Sequence, residues 1–249
     1  MSLRRWQAKY LMGGALILPI APLLLVQGQI TRWKVGLLPE AEGATGLAGE
    51  PGADESKLLV LGESTVAGLG ARTHEKALGG QFALNLSKRI GRPVRWTVVG
   101  KNGVTARRAL DELWPLVPDE TFDHVLLGIG GNDVMKLSSP MKWRRDMIDL
   151  IGTVRSANPD AVIFISNCPM IGYSPVLPPP IKEILWELSQ MHDANIREFT
   201  APMDRVFYYP QPADVDFEGF FADGIHPSEK GYADWAAAMV KYFDERFEW

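Results

Sequence analysis

From Lys57 onward the chain alternates between two hydrophobic periods, and that alternation limits its possible folds more than any other feature. Short apolar, β-branched runs occur at Leu58 to Leu61, Val94 to Val99, Val125 to Ile129, Ala161 to Ser166 and Arg205 to Tyr208. Between them apolar residues recur at helical spacing: Leu78, Phe82, Leu86, Ile90; Trp143, Met147, Leu150, Ile151, Val154; Ile181, Ile184, Leu185, Leu188, Met191; and Tyr232, Trp235, Ala236, Met239, Phe243. Runs of that kind separated by helices predict a parallel sheet covered on both faces. In such sheets ligands bind beyond the carboxyl ends of the strands, so the loops leaving the strands are where chemistry is sought.

Composition supports a folded, non-basic protein. With 249 residues, 46% hydrophobic and 22% charged, the chain can bury a large core, which excludes disorder as its main state. A formal charge of -4 leaves no global basic footprint, so no nucleic-acid partner is expected. Cys168 is alone and cannot form an internal disulfide. Four histidines without a Cys-x-x-Cys pair argue against a structural zinc site.

The N-terminus, residues 1–37, is a separate object. After Arg4, Arg5 and Lys9 the chain runs from Tyr10 to Thr31 without a charge, with residues 11 to 26 as its apolar centre. That length is close to the roughly 20 residues that span a bilayer, and Pro19 and Pro22 are expected to kink the helix. Three readings are weighed: a retained membrane anchor, a signal peptide cleaved near Val26-Gln27-Gly28, and a buried core helix, against which stands a run that no polar face interrupts. Three cations before the run against Arg32 and Lys34 after it place the short N-terminus in the cytoplasm and the remainder outside. Residues 38–56, rich in Gly, Ala, Pro and acidic residues without an apolar period, read as a flexible linker, and the folded domain is expected over 57–249.

Four loops carry candidate chemistry. Gly62-Glu63-Ser64-Thr65 follows the first strand, where Ser64 can project its hydroxyl and its own N–H into the crevice as an acyl-transfer nucleophile; Ser64 as the N-cap of a following helix is the alternative. Gly100-Lys101-Asn102-Gly103-Val104 follows the second, where glycine allows close backbone approach to a ligand, although Asn-Gly is also common turn chemistry. Gly130-Gly131-Asn132-Asp133 follows the third, and the Asn132 amide is an uncharged donor suited to a developing oxyanion, with plain turn chemistry as the alternative. Asp223-Gly224-Ile225-His226-Pro227 precedes the last amphipathic helix, whose start is expected at Pro227. There Asp223 can hold the His226 imidazole in one tautomer, leaving its other nitrogen as general base, although an Asp-x-x-His alone is more often a helix-capping feature. His74, His124 and His192 have no partner spacing of that kind, and His124 is expected to start a strand. A reading of the Gly-rich loops as a phosphate cradle lacks the Gly-Lys-Ser/Thr of a nucleotide loop.

Taken in order, VLGESTVAGLG around Ser64, GKNGVTA around Gly103, LGIGGNDV around Asn132 and FADGIHPSEKGY around Asp223 and His226 resemble the four blocks of the SGNH hydrolases, the GDSL esterase and lipase family. The resemblance covers residues 57–249, with Glu63 where the family usually has Asp. It implies a flavodoxin-like, three-layer α/β/α sandwich with a mostly five-stranded parallel sheet. It also implies ester hydrolysis without metal or organic cofactor: Ser64 as nucleophile, His226 as base, Asp223 orienting it, and an oxyanion hole of the Ser64 and Gly103 N–H groups with the Asn132 side chain. No chemistry is expected of Asp133, for which a structural tie between loops is an alternative to plain turn chemistry. The segment Pro169 to Pro180, with Phe217, Phe220 and Phe221, reads either as the lining of an apolar acyl site or as loop packing against the core. A small-molecule ester, lipid-like or of short acyl chain, is therefore the expected substrate. An acetylated carbohydrate is the alternative within the enzyme class, and a membrane-tethered non-catalytic binding module is the alternative outside it.

Overall fold

All five apolar runs become strands of one sheet in the computed structural model, which describes residues 2–52, 54–213 and 216–246. The strands are β1 (Thr45–Ala48), β2 (Ser56–Gly62), β3 (Val94–Gly100), β4 (His124–Gly128), β5 (Val162–Ile165) and β6 (Val206–Tyr208), in the spatial order β1-β3-β2-β4-β5-β6. β2 through β6 pair in parallel. His124 begins β4, as expected from the sequence.

The sixth strand is a correction to the expected five. β1 lies within the stretch read as a linker and pairs antiparallel with β3, Thr45 opposite Thr97 and Ala48 opposite Val94. Gly46 has no room for a side chain: a Cβ there would stand 2.3 Å from a ring carbon of Trp96, its partner in the ladder. A strand shaped by such a close approach carries no apolar period to be read. The preceding residues are also pinned, since the Ala41 N–H donates to the Ala67 carbonyl at 2.9 Å and the His74 N–H to the Glu42 carbonyl at 2.8 Å.

The helices are α1 (Leu3–Ile17), α2 (Ala21–Val35), α3 (Leu78–Ile90), α4 (Ala106–Arg108), α5 (Gly131–Met135), α6 (Pro140–Ala157), α7 (Ile181–Thr200) and α8 (Glu229–Asp244). α4 runs on as a π turn, Ala109–Leu113, and a 3-10 turn, Trp114–Leu116. α1 and α2 are joined by a 3-10 turn at Leu18–Ile20, where Pro19 and Pro22 remove backbone donors. α8 starts two residues later than the sequence predicts: Ser228 caps it by accepting the Gly231 N–H at 3.1 Å, and Pro227 stands outside.

The pleat divides the sheet's side chains between two cores. Leu59, Leu61, Val125, Leu127, Ile163 and Ile165 face Trp143, Met147 and Leu150 of α6 and Ile196 and Phe199 of α7. Leu58, Val60, Leu126, Val162 and Phe164 face Phe82 and Leu86 of α3 and Tyr232, Met239 and Phe243 of α8. Burying each such leucine or phenylalanine contributes about 1.5–3 kcal/mol, which explains why the strands are apolar on both faces. The result is the expected three-layer α/β/α arrangement.

Candidate functional site

After β2 the chain adds β3 on one side of it, then returns to add β4, β5 and β6 on the other. The crevice beyond the carboxyl end of β2 is therefore the sheet's switch point, where ligands bind in open α/β sheets. Glu63 and Ser64 leave β2 directly into it.

Three glycines open that crevice. Gly62 is in register with Gly100 of β3 and Gly128 of β4. A Cβ on Gly62 would lie 2.0 Å from the Gly128 carbonyl oxygen, one on Gly100 2.6 Å from the Ala67 nitrogen, and one on Gly128 2.5 Å from a Val66 methyl. The bare backbone thus lets the segment after Ser64 fold back across the strand ends, closed by the Ala67 N–H on the Glu63 carbonyl at 2.8 Å and the Leu69 N–H on the Ser64 carbonyl at 3.1 Å. Ser64 caps no helix, because α3 begins much later, at Leu78, with Ala77 as its N-cap.

Ser64, Gly103, Asn132 and His226 line one cavity of about 2150 Å³. Asp223 reaches the imidazole: its Oδ2 lies 2.8 Å from His226 Nδ1, while Oδ1 accepts the backbone N–H groups of Ile225 at 2.9 Å and His226 at 2.7 Å. With Nδ1–H donated to a carboxylate, Nε2 is the nitrogen left to take a proton. Burial alone raises the Asp223 pKa, but the His226 ring and the two N–H donors outweigh it and hold the carboxyl below its ordinary value.

Glu63 organises the opposite wall. Its carboxylate accepts the Gly131 N–H at 2.5 Å, the Asn132 N–H at 2.7 Å and the Asn132 side-chain amide at 2.5 Å. Burial pushes its pKa up to about 7, against the pull of these donors. Asp133, next along, accepts the Ala106 N–H at 2.8 Å and the Ser138 hydroxyl at 3.1 Å, so it joins the third loop to the start of α4. The Gly103 carbonyl is held by Lys136 Nζ at 2.7 Å and Arg108 at 3.2 Å, which fixes the second loop against α4 and α5.

The remaining histidines are buried and lie outside this cavity. His192 stacks on Trp143 at 5.0 Å between ring centroids and lies 3.0 Å from the Ser138 carbonyl, and burial lowers its pKa to about 3. Burial also lowers His124, to about 4, and His74. The predicted acyl-site segments do reach the cavity, through Ile171 and Leu177 and through Phe217, which stacks on Tyr173 at 4.4 Å. Among the lining residues not foreseen are Ser166 and Asn167 after β5, and Trp235 of α8, whose indole N–H donates to Asn167 Oδ1 at 2.7 Å. The rule that strand ends carry ligands was sufficient to find the first two, whereas Trp235 was hidden in an apolar helical period.

A doubly wound sheet whose switch-point crevice gathers a serine, an amide donor and a carboxylate-held imidazole defines an α/β protein of the hydrolase class. The chain belongs to the GDSL-like lipase/acylhydrolase family, whose model matches residues 60–233. It is 23% identical over 186 residues to the GDSL-like esterase Rv1075c of Mycobacterium tuberculosis, an alignment covering 71% of this chain and 58% of that protein, so it spans less than two thirds of that relative's length. Among solved structures it resembles the lipase Lip_vut3 from a goat rumen metagenome, with a TM-score of 0.60 and 16% identity over 76% of this chain and 96% of that one. It also resembles the psychrotrophic esterase EstA from Pseudoalteromonas sp., with a TM-score of 0.57 and 17% identity over 77% and 100%. A family two carbohydrate esterase from Clostridium thermocellum shares the fold with a TM-score of 0.57 and 16% identity over 82% and 68%.

Proposed function

We propose that the protein is a serine hydrolase that cleaves carboxylic esters through an acyl-enzyme. The observation that carries this reading is the Asp223–His226 pair at 2.8 Å on the cavity that also holds Ser64. Ser64 Oγ attacks the ester carbonyl carbon as His226 Nε2 takes its proton. The resulting imidazolium is stabilised by the Asp223 carboxylate. Negative charge on the carbonyl oxygen is met by the N–H groups of Ser64 and Gly103 and by the Asn132 amide. His226 then returns the proton to the leaving alcohol, and water enters by the same route in reverse to release the acid. Donors fixed before reaction, as Asn132 is by Glu63, cost no reorganisation when charge develops.

Apolar side chains dominate the walls beyond the catalytic groups, so the substrate is a lipid-like or short acyl ester rather than an acetylated sugar. Leu3–Val35 is the one helix among the described residues long and apolar enough to cross a membrane. In this reading it attaches the enzyme to a membrane; a crossing helix puts the catalytic domain outside the cytoplasm, and secretion after signal cleavage is the alternative. The test is fluorophosphonate labelling of the full chain, followed by peptide mapping, with p-nitrophenyl acetate, butyrate and octanoate and an acetylated xylo-oligosaccharide as substrates. A label on Ser64 and hydrolysis of the aryl esters are expected. A folded protein that neither labels nor turns over is a binding module, and preference for the acetylated sugar moves the substrate class to carbohydrate esters.

A further inference from the structure

The helical run Leu3–Val35 bonds to the catalytic domain at both of its ends. Near its start the Gln7 side chain accepts the Met141 N–H at 3.1 Å, the Tyr10 hydroxyl donates to the Leu137 carbonyl at 2.7 Å, and Lys9 pairs with Glu187. Near its end the Gln27 amide donates to the Pro179 carbonyl at 2.7 Å, and a Cβ on Gly28 would stand 3.6 Å from the Ile181 side chain. Twenty residues separate Gln7 from Gln27. At about 1.5 Å of rise per residue that is about 30 Å, the thickness of a bilayer's hydrocarbon core. A helix crossing the bilayer holds two such points on opposite sides of the membrane, where one folded domain cannot bond both. In this arrangement the helix lies along the domain.

It lies across the site. The cavity that holds Ser64 and His226 continues between the helix and α7, with Ala15, Leu24 and Gly28 on one side and Leu177, Ile181 and Leu188 on the other. Along the same helix Leu11, Leu16, Leu18 and Leu25, at the open rim of the cavity, and Leu23 and Trp33, away from it, are each at least 60% exposed. An apolar surface of this extent on a folded protein marks contact with a partner or a membrane. A helix apolar on every side from Leu11 to Val26 and bonded along the domain rests in one leaflet without a second crossing point.

We propose that α1 and α2 form one wall of the substrate site while resting in a single leaflet, and that the groove between them and α7 takes the acyl chain of a membrane lipid ester, presenting its carbonyl to Ser64. This rests on the ester-hydrolase reading and names its substrate class and route of entry. An acyl chain already in the leaflet passes into the groove without leaving an apolar medium, and its length fixes the ester carbonyl against the catalytic groups.

The test uses the full chain in membranes. Gly13 lines the groove on the half-buried side of the helix, and a Cβ there meets nothing within 4 Å, so Gly13→Trp narrows the groove at a distance from the serine, with Gly13→Ala as the folding control. The ratio of phosphatidylcholine or p-nitrophenyl palmitate hydrolysis to p-nitrophenyl acetate hydrolysis is expected to fall about tenfold or more, because binding energy from the remote chain is lost. Equal loss on acetate and palmitate, or no loss on either, overturns the proposal. So does a parent that cleaves dispersed palmitate ester and leaves vesicle lipid untouched. Separately, Lys9→Cys with Glu187→Cys is expected to give a bismaleimide-linked peptide in intact membranes; absence of the link overturns the docked arrangement. A parent unlabelled at Ser64 fails the esterase reading itself, whereas a labelled parent indifferent to chain length fails only this inference.

Discussion

Glu63 and Asn132 are joined twice, the carboxylate accepting both the Asn132 backbone N–H at 2.7 Å and its side-chain amide at 2.5 Å. The residue preceding the candidate nucleophile thereby sets the orientation of a candidate oxyanion donor on a different loop. An amide nitrogen carries two hydrogens, so one is held by Glu63 and one remains for the substrate oxygen. Removing the carboxylate in Glu63→Ala leaves buried N–H groups without an acceptor, and a loss of about 1–3 kcal/mol in stability is expected. Glu63→Asp, one methylene shorter, keeps an acceptor and is expected to retain turnover within about tenfold, since Glu63 transfers no proton. Thermal melting and kcat for both variants check this; equal stability of Glu63→Ala and the parent contradicts it.

The same buried carboxyl makes stability depend on pH. Its folded pKa is about 7, against an ordinary 4.5. A carboxyl raised in the folded state binds its proton more tightly there than in the unfolded chain, so its contribution is complete below about pH 4.5 and is lost as pH rises through 7. The full span corresponds to about 3 kcal/mol. Urea unfolding at intervals from pH 4.5 to 8 is expected to show a decline for the parent that Glu63→Gln largely lacks. Identical slopes in the two proteins refute the assignment.

Gly62 offers a test of how the crevice is built. Gly62→Ala puts a methyl 2.0 Å from the Gly128 carbonyl oxygen, and the obstacle is backbone in the neighbouring strand, which cannot rotate away. A loss of about 1–3 kcal/mol or more is expected from this overpacking, with the Ser64 loop displaced. Gly103→Ala meets no atom within 4 Å and is strained only by its φ of +82°, so about 1–2 kcal/mol is expected there. Equilibrium unfolding ranks the two, and a milder effect at Gly62 contradicts the close-packing account.

Long, two-sided apolar runs made the five parallel strands and four large helices readable, because burial on both faces leaves little ambiguity in the period. The candidate loops could be located for a related reason: Ser64, Asn132 and the Asp223–His226 pair sit where strand ends and a helix start can be placed. What escaped was structure specified by contact. β1 exists because Gly46 accommodates Trp96, and the role of Glu63 depends on donors 68 and 69 residues away in sequence. The path of the N-terminal helix is likewise set by Gln7, Lys9, Tyr10 and Gln27, four side chains whose partners lie far along the chain.

The Asp223–His226 geometry permits a discriminating substitution. Asp223 Oδ1 accepts two backbone N–H groups while Oδ2 faces His226 Nδ1. In Asp223→Asn the amide oxygen is claimed by those two donors, so the NH2 group is turned toward the imidazole. A donor there requires Nδ1 to accept, which places the ring proton on Nε2 and removes the lone pair that takes the Ser64 proton. Turnover is expected to fall about 10³–10⁴-fold with the fold intact, as befits a wrong tautomer rather than a lost scaffold. Ser64→Ala and His226→Ala are expected to lose at least as much, and the double variant no more than either alone, because the two act as a unit. Asn132→Ala, which removes a single oxyanion donor, is expected to cost about 10²–10³-fold. The measurements are kcat on p-nitrophenyl butyrate and the rate of fluorophosphonate labelling, with thermal melting as the control. If Asp223→Asn hydrolyses ester at the parent rate, Asp223 does not orient the base. If Ser64→Ala or His226→Ala does so, the nucleophile and base lie elsewhere in the cavity.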